Sequence, residues 1–478
     1  MPALPDSLPS LVFWAVARPA LLAWLLLWVP ARAAGRALWM KLVPARPTPR
    51  LPAASGAAPQ DFDVVCLSHV AWPHVWQRNH HTMTRLARGR RVLYLQVLPT
   101  SYVHALARLM PESLTMWRAR HPAVPTLAVR QALLMPADSK LSAVRRFNDW
   151  SLAVDIRWLV RRLGMARRPV LWFYHPAGVG CVDHLTGPDA PAAVVYDVQD
   201  EYSAFRNAPR QTVEREARLL AAADVLLAGT HELFMKKGTS FRGHAEATRF
   251  FPCAVEFDHF HGPVERPADY PEPPEMDGLP RPRLIYVGLI DGRIDAALLD
   301  ALAAARPDLT IVMVGPVEQG GFDADALAAR RPNIRFLGQM PYARLPALLA
   351  WCDVCLMPWA VNELTMHINP TKTLEYLATA KPTVAVALPD LTAFFSDCVA
   401  LAPGGDHGAF IAAVDDALAG RRAGAVEAGL IRARALAWET VVDEMADMAR
   451  MALARKGLHE NESQRKMHRA SENRGDPR

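Results

Sequence analysis

The chain has 478 residues, of which 51% are hydrophobic and 21% charged, and it contains 13 Trp. This length exceeds what one compact core usually holds, and the composition excludes a wholly disordered or fibrous protein, so we expect two large folded lobes. Six cysteines are spread thinly, mostly in apolar runs, which argues against a disulfide-stapled secreted scaffold and favours a reducing cytoplasm.

The net charge of +6 comes from the two ends of the chain. Residues 1–60 carry six basic side chains and one acid, and residues 456–478 carry six basic and four acidic side chains. The body between them is close to neutral, so the sequence predicts no nucleic-acid partner.

Residues 1–60 are predicted to form a membrane-proximal amphipathic segment and a linker. An apolar run at 20–29 follows Arg18 and Pro19, four Trp lie among the leucines of this region, and five basic residues follow the apolar run. The pattern is typical of an anchor that lies in the interface of an anionic membrane. A charge at Arg18 disfavours a spanning helix, and an amino end without Lys or Arg disfavours a secretory signal. A true start at Met40 is a further alternative.

Residues 61–262 alternate short apolar runs with helical segments. Strands are predicted at 62–67, 91–95, 170–174, 193–196 and 225–228, and helices at 78–88, 149–163 and 212–223. Strands that are apolar throughout are typical of a parallel sheet covered on both faces, so we expect a doubly wound lobe.

The stretch 263–282 contains seven prolines and is predicted to be an interdomain connector. The alternation then restarts over 283–455, with strands at 283–287, 310–314, 334–337, 354–357 and 383–386. This predicts a second doubly wound lobe and a ligand cleft between the carboxyl ends of the two sheets. The polar tail 456–478 is predicted to be disordered.

The most informative run is 362–382. Asn369 suits a helix cap and Pro370 a first turn, so a helix is predicted over 371–380. Its amino end and Lys372 would attract phosphate, and Glu375 could accept hydrogen bonds from ribose hydroxyls. The alternative is an ordinary capped helix with a surface pair between Lys372 and Glu375.

This run resembles the nucleotide-sugar motif of retaining glycosyltransferases with the GT-B fold, of the glycosyl transferases group 1 type. Further segments resemble the family in its order along the chain, at 194–201, 223–228, 284–288, 312–316, 332–338 and 352–358. The resemblance spans about residues 62–440 and implies the α/β GT-B fold, with two doubly wound Rossmann-like lobes and an interdomain cleft.

The resemblance also implies an activity. A retaining hexosyltransferase would move a sugar from a nucleotide-sugar co-substrate, with no further cofactor, to a glycan or lipid-linked acceptor in bacterial surface polysaccharide biosynthesis. Together with the basic aromatic segment, this predicts a cytoplasmic protein that is peripheral on the inner face of the plasma membrane. Alternatives are a nucleotide-sugar epimerase on the same fold and a non-catalytic nucleotide-sugar-binding or assembly protein.

The family motif carries roles onto particular residues. The implied catalytic residues are Asp197, His367, Lys372 and Arg293, and the implied nucleotide-sugar contacts are Glu375, Gly288, Asn369, Thr371 and Gly338. His367 stands where the motif has its first Glu, which motivates the assembly-protein alternative. For Asp197 the alternative is a strand-end acid that caps the next turn.

Other polar and sulfur-containing residues carry weaker signals. Acceptor-side loops are expected at Trp72, His74, Trp76, Arg78, His80, His81 and His175. No metal site is predicted, because no Cys or carboxylate completes a ligand set beside the adjacent His80 and His81. Cys352 and Cys355 are predicted to be core residues.

Overall fold

The computed structural model describes residues 51, 61–72, 76–97, 120–121, 124–132, 134, 142–204, 210–318, 321–362, 365–366 and 371–472. The chain divides into two compact units, Met1–Phe251 with Val442–Arg478, and Pro252–Val441. The predictions for residues 1–50, His74, His367 and Asn369 lie outside the described residues.

An eight-stranded sheet forms the centre of the first unit, in the order β3-β4-β2-β1-β5-β6-β7-β8. The strands are β1 (Val64–Ser68), β2 (Val92–Gln96), β3 (Arg120–His121), β4 (Val124–Gln131), β5 (Val170–Phe173), β6 (Ala193–Val198), β7 (Val225–Ala228) and β8 (Thr248–Phe250). All neighbours are parallel except β3 and β4. The sequence did not predict β4 or β8, because β4 contains Pro125 and polar residues and β8 has only three residues, with Arg249 at its centre.

Helices connect these strands. They are α1 (Arg78–Gly89), α2 (Ser142–Arg162), α3 (Arg210–Ala222) and α4 (His231–Gly238), and a 3-10 helix covers Pro176–His184. β1, β2, β5, β6 and β7 are buried along their whole length, as expected for strands covered on both faces.

A six-stranded parallel sheet forms the centre of the second unit, in the order β11-β10-β9-β12-β13-β14. Its strands are β9 (Arg283–Val287), β10 (Thr310–Val314), β11 (Ile334–Gly338), β12 (Val354–Met357), β13 (Thr383–Val386) and β14 (Ala400–Ala402). The helices are α5 (Phe257–Glu265), α6 (Ala296–Ala305), α7 (Ala324–Arg330), α8 (Leu345–Ala350), α9 (Lys372–Ala378), α10 (Pro389–Phe395), α11 (His407–Leu418) and α12 (Ala423–Ala435). The predicted pair of doubly wound parallel sheets is confirmed.

The compact units divide the chain at places other than the predicted boundaries. The proline-rich stretch 263–282 lies inside the second unit. Met276 is fully buried in the core of that unit, and the Trp351 indole N–H donates a hydrogen bond of 3.0 Å to the Tyr270 carbonyl oxygen. Packing of these few side chains therefore holds a segment that has little regular structure.

The last helix, α13 (Trp438–Glu472), begins in the second unit and continues into residues assigned to the first. It also continues through much of the tail that was predicted to be disordered from 456. Ala, Glu, Lys, Arg and Met are good helix formers, and adding a turn to an existing helix costs far less than starting one.

Candidate functional site

The carboxyl ends of β9, β10 and β11 meet through three glycines. The Gly288 N–H donates to the Val314 carbonyl oxygen at 2.9 Å, and the Gly315 N–H donates to the Gly338 carbonyl oxygen at 2.8 Å. Gly315 has φ +145°, and a Cβ atom there would lie 1.8 Å from the Gly288 carbonyl oxygen. Only glycine permits this approach, so the carboxyl ends of β9 and β10 pack backbone against backbone at the buried Gly315. Gly288 and Gly338 were predicted site residues; Gly315 was not.

Arg293 lies on the loop that follows β9. Its guanidinium contacts both carboxylate oxygens of Asp291, at 2.9 and 3.0 Å from Nε and 2.9 Å from Nη2, and 35% of its side chain is exposed. The hydrogen bond to Asp291 raises the pKa of Arg293, which keeps the cation charged. Asp291 orients this cation and was not predicted from the sequence.

The loop after β12 is bonded to the loop that carries Arg293. The Ala360 N–H donates to the Arg293 carbonyl oxygen at 2.8 Å, and the Asn362 side-chain amide donates to the Gly292 carbonyl oxygen at 3.4 Å. Hydrogen bonds therefore connect the two loops to each other at the carboxyl edge of the sheet.

Lys372 and Glu375 form an ion pair in α9, with Nζ 2.7 Å from Oε2. Their side chains are 26% and 14% exposed. Burial raises the pKa of Glu375, and Lys372 and His259 oppose that shift. The pair foreseen in the alternative interpretation is present, and it leaves both charged groups partly accessible.

α9 differs from its prediction at both ends. It begins at Lys372, preceded by the exposed Thr371, whose side chain makes no capping hydrogen bond, and it ends at Ala378. Ala380 adopts φ +54°, a left-handed conformation that ends helices, and Pro382 follows. The predicted extent of 371–380 was therefore too long.

Tyr376 fixes α9 against the sheet. Its buried hydroxyl accepts a hydrogen bond of 2.7 Å from the Val287 N–H, at the carboxyl end of β9. Lys372, Glu375 and Thr371 are thus held in the same unit and next to the same strand as Gly288 and the Arg293 loop.

His259 and Glu256 also influence this region, although the sequence predicted no role for either. Glu256 raises and His259 lowers the pKa of Glu375. The His259 ring stacks on Tyr342, with centroids 4.8 Å apart and an interplanar angle of 17°.

Asp197 lies at the carboxyl end of β6 in the first unit and is fully buried. It pairs with Arg78 through both oxygens, at 3.2 and 3.1 Å, and accepts a hydrogen bond of 2.6 Å from Gln199. Burial raises its pKa, and Arg78 opposes the shift. Arg78 also donates to the Phe251 carbonyl oxygen at 2.7 Å. These contacts make Asp197 a buried strand-end acid whose partners are the side chains of Arg78 and Gln199.

His69, His175 and Asp200 follow β1, β5 and β6 on the same edge of the first sheet. The two imidazole rings lie 4.8 Å apart, and Tyr202 packs against His175 at the same centroid distance. Burial lowers the pKa of His175 to about 3 and also lowers that of His69, while burial raises the pKa of Asp200. Two neutral imidazoles can both donate and accept hydrogen bonds, as sugar hydroxyls require.

An aromatic group flanks this edge where α1 begins. Trp72 lies 6.2 Å from Trp76, 5.0 Å from His80 and 4.8 Å from Tyr94, measured between ring centroids. Trp76 is 47% exposed. Trp72, Trp76 and His80 belong to the predicted acceptor-side loops, whereas Tyr94 lies in β2 and was not predicted.

Cys352 and Cys355 are buried, and burial raises the pKa of both thiols, that of Cys355 to about 12, which suits unreactive core residues. In the described part of the chain, no three His, Cys, Asp or Glu side chains are grouped so that they could hold a metal ion. No helix within the described ranges is sufficiently long and apolar to cross a membrane.

Comparison with known proteins finds that the family model described as glycosyl transferases group 1 matches residues 281–420. Over 264 residues the chain is 25% identical to TuaH of Bacillus subtilis strain 168, whose name describes a glycosyltransferase of teichuronic acid biosynthesis. That alignment covers 52% of this chain and 64% of TuaH, which is less than two thirds of the relative's length.

Solved structures share the fold at low sequence identity. HepE from Anabaena, in complex with UDP, matches with a TM-score of 0.52 and 14% identity, over 82% of this chain and 100% of its own. The sucrose-phosphate synthase of Thermosynechococcus elongatus matches with a TM-score of 0.53 and 17% identity, over 82% of this chain and 99% of its own. The two Rossmann-like lobes are therefore those of GT-B structures.

Proposed function

Because residues 281–420 match the family model of glycosyl transferases group 1, we propose that the protein is a glycosyltransferase that takes a sugar from a nucleotide-sugar donor. One observation carries the proposal. The second unit holds Arg293, Lys372 and Glu375 on elements that are all bonded to the carboxyl end of its parallel sheet, where ligands bind in this class of fold.

The chemistry of these residues suits a nucleoside diphosphate. Arg293 and Lys372 would neutralise the diphosphate, and Glu375 would accept hydrogen bonds from the ribose hydroxyls. The Lys372–Glu375 pair holds both groups in place without ligand, and a diphosphate would compete with Glu375 for the lysine. Gly288 and Gly338 would allow the donor to approach the backbone, with Thr371 and Asn369 beside it.

We propose a retaining transfer of a hexose. In such a transfer the departing diphosphate can take the proton of the acceptor, so the protein mainly stabilises negative charge on the leaving group. That role belongs to Arg293 and Lys372. His367 would orient the transferred sugar, and Asp197 would act indirectly, by fixing Arg78 and the strand ends around it.

The acceptor is proposed to be a glycan or a lipid-linked glycan of bacterial surface polysaccharide. The name of TuaH refers to such a polymer, and the basic aromatic residues 1–50 suit an anionic membrane surface. The protein would then work in the cytoplasm, on the inner face of the plasma membrane.

A transfer assay tests this proposal. Full-length protein is incubated with sugar-labelled UDP, GDP or dTDP donors and a lipid extract of bacterial membranes, and the product linkage is read by NMR. We expect label in a product with the anomeric configuration of the donor. Glu375→Gln should lose at least about 90% of the activity, which corresponds to about 1.4 kcal/mol. The control Glu265→Gln, on α5 with a 57% exposed side chain, should keep it.

Two outcomes contradict the proposal. If the donor sugar is converted to an epimer without any acceptor, the protein is an epimerase. If the folded protein neither transfers sugar nor releases a nucleoside diphosphate from any donor, the non-catalytic alternative replaces the glycosyltransferase.

A further inference from the structure

Four arginines occur at the carboxyl end of α2 and just after it, Arg157, Arg161, Arg162 and Arg167, here called the arginine face; all except Arg162 line one shallow depression. Arg161 and Arg167 are 51% and 63% exposed and share one carboxylate, that of Asp189, at 2.9 and 3.9 Å. The guanidinium of Arg162 lies over the Trp158 ring at 4.9 Å. Within the described residues no carboxylate pairs with Arg157 or Arg162, so the arginine face carries an excess of positive charge.

The arginine face is a surface and not an enclosed site. The depression between Arg157, Arg161 and Arg167 has an apolar floor that includes Val160 and Leu185, and it encloses about 10 Å³. That volume admits about one water molecule. A bound small molecule would find no enclosure here, whereas a broad anionic surface could contact the three arginines that line the depression.

Leu51 connects residues 1–50, the segment predicted to lie at a membrane, to the first unit close to the arginine face. Leu51 donates its N–H to the Leu163 carbonyl oxygen at 3.0 Å and accepts a hydrogen bond of 3.2 Å from the Arg91 guanidinium, and it is 2% exposed. Leu163 follows Arg162 directly. Residues 1–50, with the apolar run 20–29 and six basic side chains, therefore join the first unit beside the arginine face.

We propose that the arginine face docks on the surface of an anionic phospholipid bilayer. Phosphate headgroups complement the four guanidinium groups, and an apolar segment tethered at the edge of the face favours a bilayer over a soluble polyanion. The inference deepens the membrane part of the proposed function and does not depend on the nucleotide site, which lies in the other unit.

Co-sedimentation with vesicles tests the proposal. Full-length protein is mixed with vesicles of phosphatidylcholine alone or with about 30 mol% phosphatidylglycerol, an anionic fraction that gives the negative surface potential of a bacterial membrane. One variant carries Arg157→Gln, Arg161→Gln, Arg162→Gln and Arg167→Gln. The control variant, matched in net charge, carries Arg210→Gln, Arg218→Gln, Arg330→Gln and Arg421→Gln, at side chains that are 50–93% exposed.

We expect the first variant to lose about fivefold in partition to anionic vesicles for each arginine that contacts the surface, whereas the control should bind as the wild type does. High salt should also weaken the binding of the wild type to anionic vesicles, because salt screens the attraction between the arginines and the headgroups. Equal partition of the two variants would overturn the proposal. Thermal stabilisation by a nucleotide, measured on the same samples, reports the donor site separately, so that failure of one idea is distinguishable from failure of the other.

Discussion

Charged side chains at the candidate site have ion-pair partners, of which the sequence indicated one and missed two. Lys372 and Glu375 lie three positions apart on one helix, so their contact was foreseeable. The partners Asp291 for Arg293 and Arg78 for Asp197 were not, because the first depends on a loop conformation and the second joins residues 119 positions apart. Both carboxylates are bonded within the protein, Glu375 through one oxygen to Lys372 and Asp197 through both oxygens to Arg78.

The lowered pKa of His175 predicts how the stability of the first unit depends on pH. Its Nδ1 accepts a hydrogen bond of 3.0 Å from the Ala177 N–H, and burial lowers its pKa from 6.5 to about 3. The unfolded chain therefore binds a proton that the folded chain does not. The stability due to neutral His175 is fully present above about pH 6.5 and is lost as the pH falls towards 3, by at most about 1.4 kcal/mol per pH unit.

The measurement is urea unfolding between pH 7.5 and pH 4.5. His175→Gln should flatten the fall in the free energy of unfolding of the first unit, while the exposed control His244→Gln should keep the wild-type slope. A wild-type slope in His175→Gln would show that this histidine is not held neutral by the fold.

Among the elements, strands buried on both faces were the most predictable. β1, β2, β9, β10 and β12 are continuous apolar runs, and the sequence located each within about two residues, which is the usual uncertainty of element ends. β4 and β8 were missed because polar residues interrupt them. α9 begins at Lys372, one residue after its predicted start at 371, which is within the same uncertainty. Sequence signals indicate the approximate ends of a helix, and tertiary packing determines the observed ends.

Gly315 tests the packing of elements at the candidate site. In Gly315→Ala a methyl group would meet the Gly288 carbonyl oxygen at a residue that already has φ +145°. We expect the free energy of unfolding to fall by about 3 kcal/mol or more, from steric overlap and backbone strain.

Gly424 is the control for this substitution. It lies exposed in α12, and no neighbouring heavy atom lies within 4 Å of the position that an alanine Cβ would take, so Gly424→Ala should raise stability by about 0.5–1 kcal/mol. Both variants are compared by chemical denaturation. Equal stability of Gly315→Ala and the wild type would mean that the glycine contact between β9 and β10 tolerates a methyl group.

At the scale of the whole molecule, two doubly wound sheets follow from alternating apolar runs and helices, and that architecture was predicted correctly. The division of the chain into its two compact units was harder to predict from the sequence. Proline-rich composition at 263–282 indicated a connector, yet a few buried side chains such as Met276 place it in the second unit, and α13 returns the chain to the first. Composition indicates where the chain has little regular structure, whereas the division of the chain into compact units depends on which side chains are buried in which core.

The edge of the second sheet, with Arg293, Lys372 and Glu375, is proposed to bind a nucleoside diphosphate. The most direct measurement is the thermal unfolding of the full-length protein with UDP, GDP, dTDP or CMP, for the wild type and Glu375→Gln. At a hundredfold excess over Kd, binding adds about 2.7 kcal/mol, which raises the Tm of a unit of this size by roughly 5–10 °C. We expect such a rise for one nucleotide in the wild type and its loss in Glu375→Gln. No rise with any nucleotide, or an equal rise in both proteins, would contradict the claim.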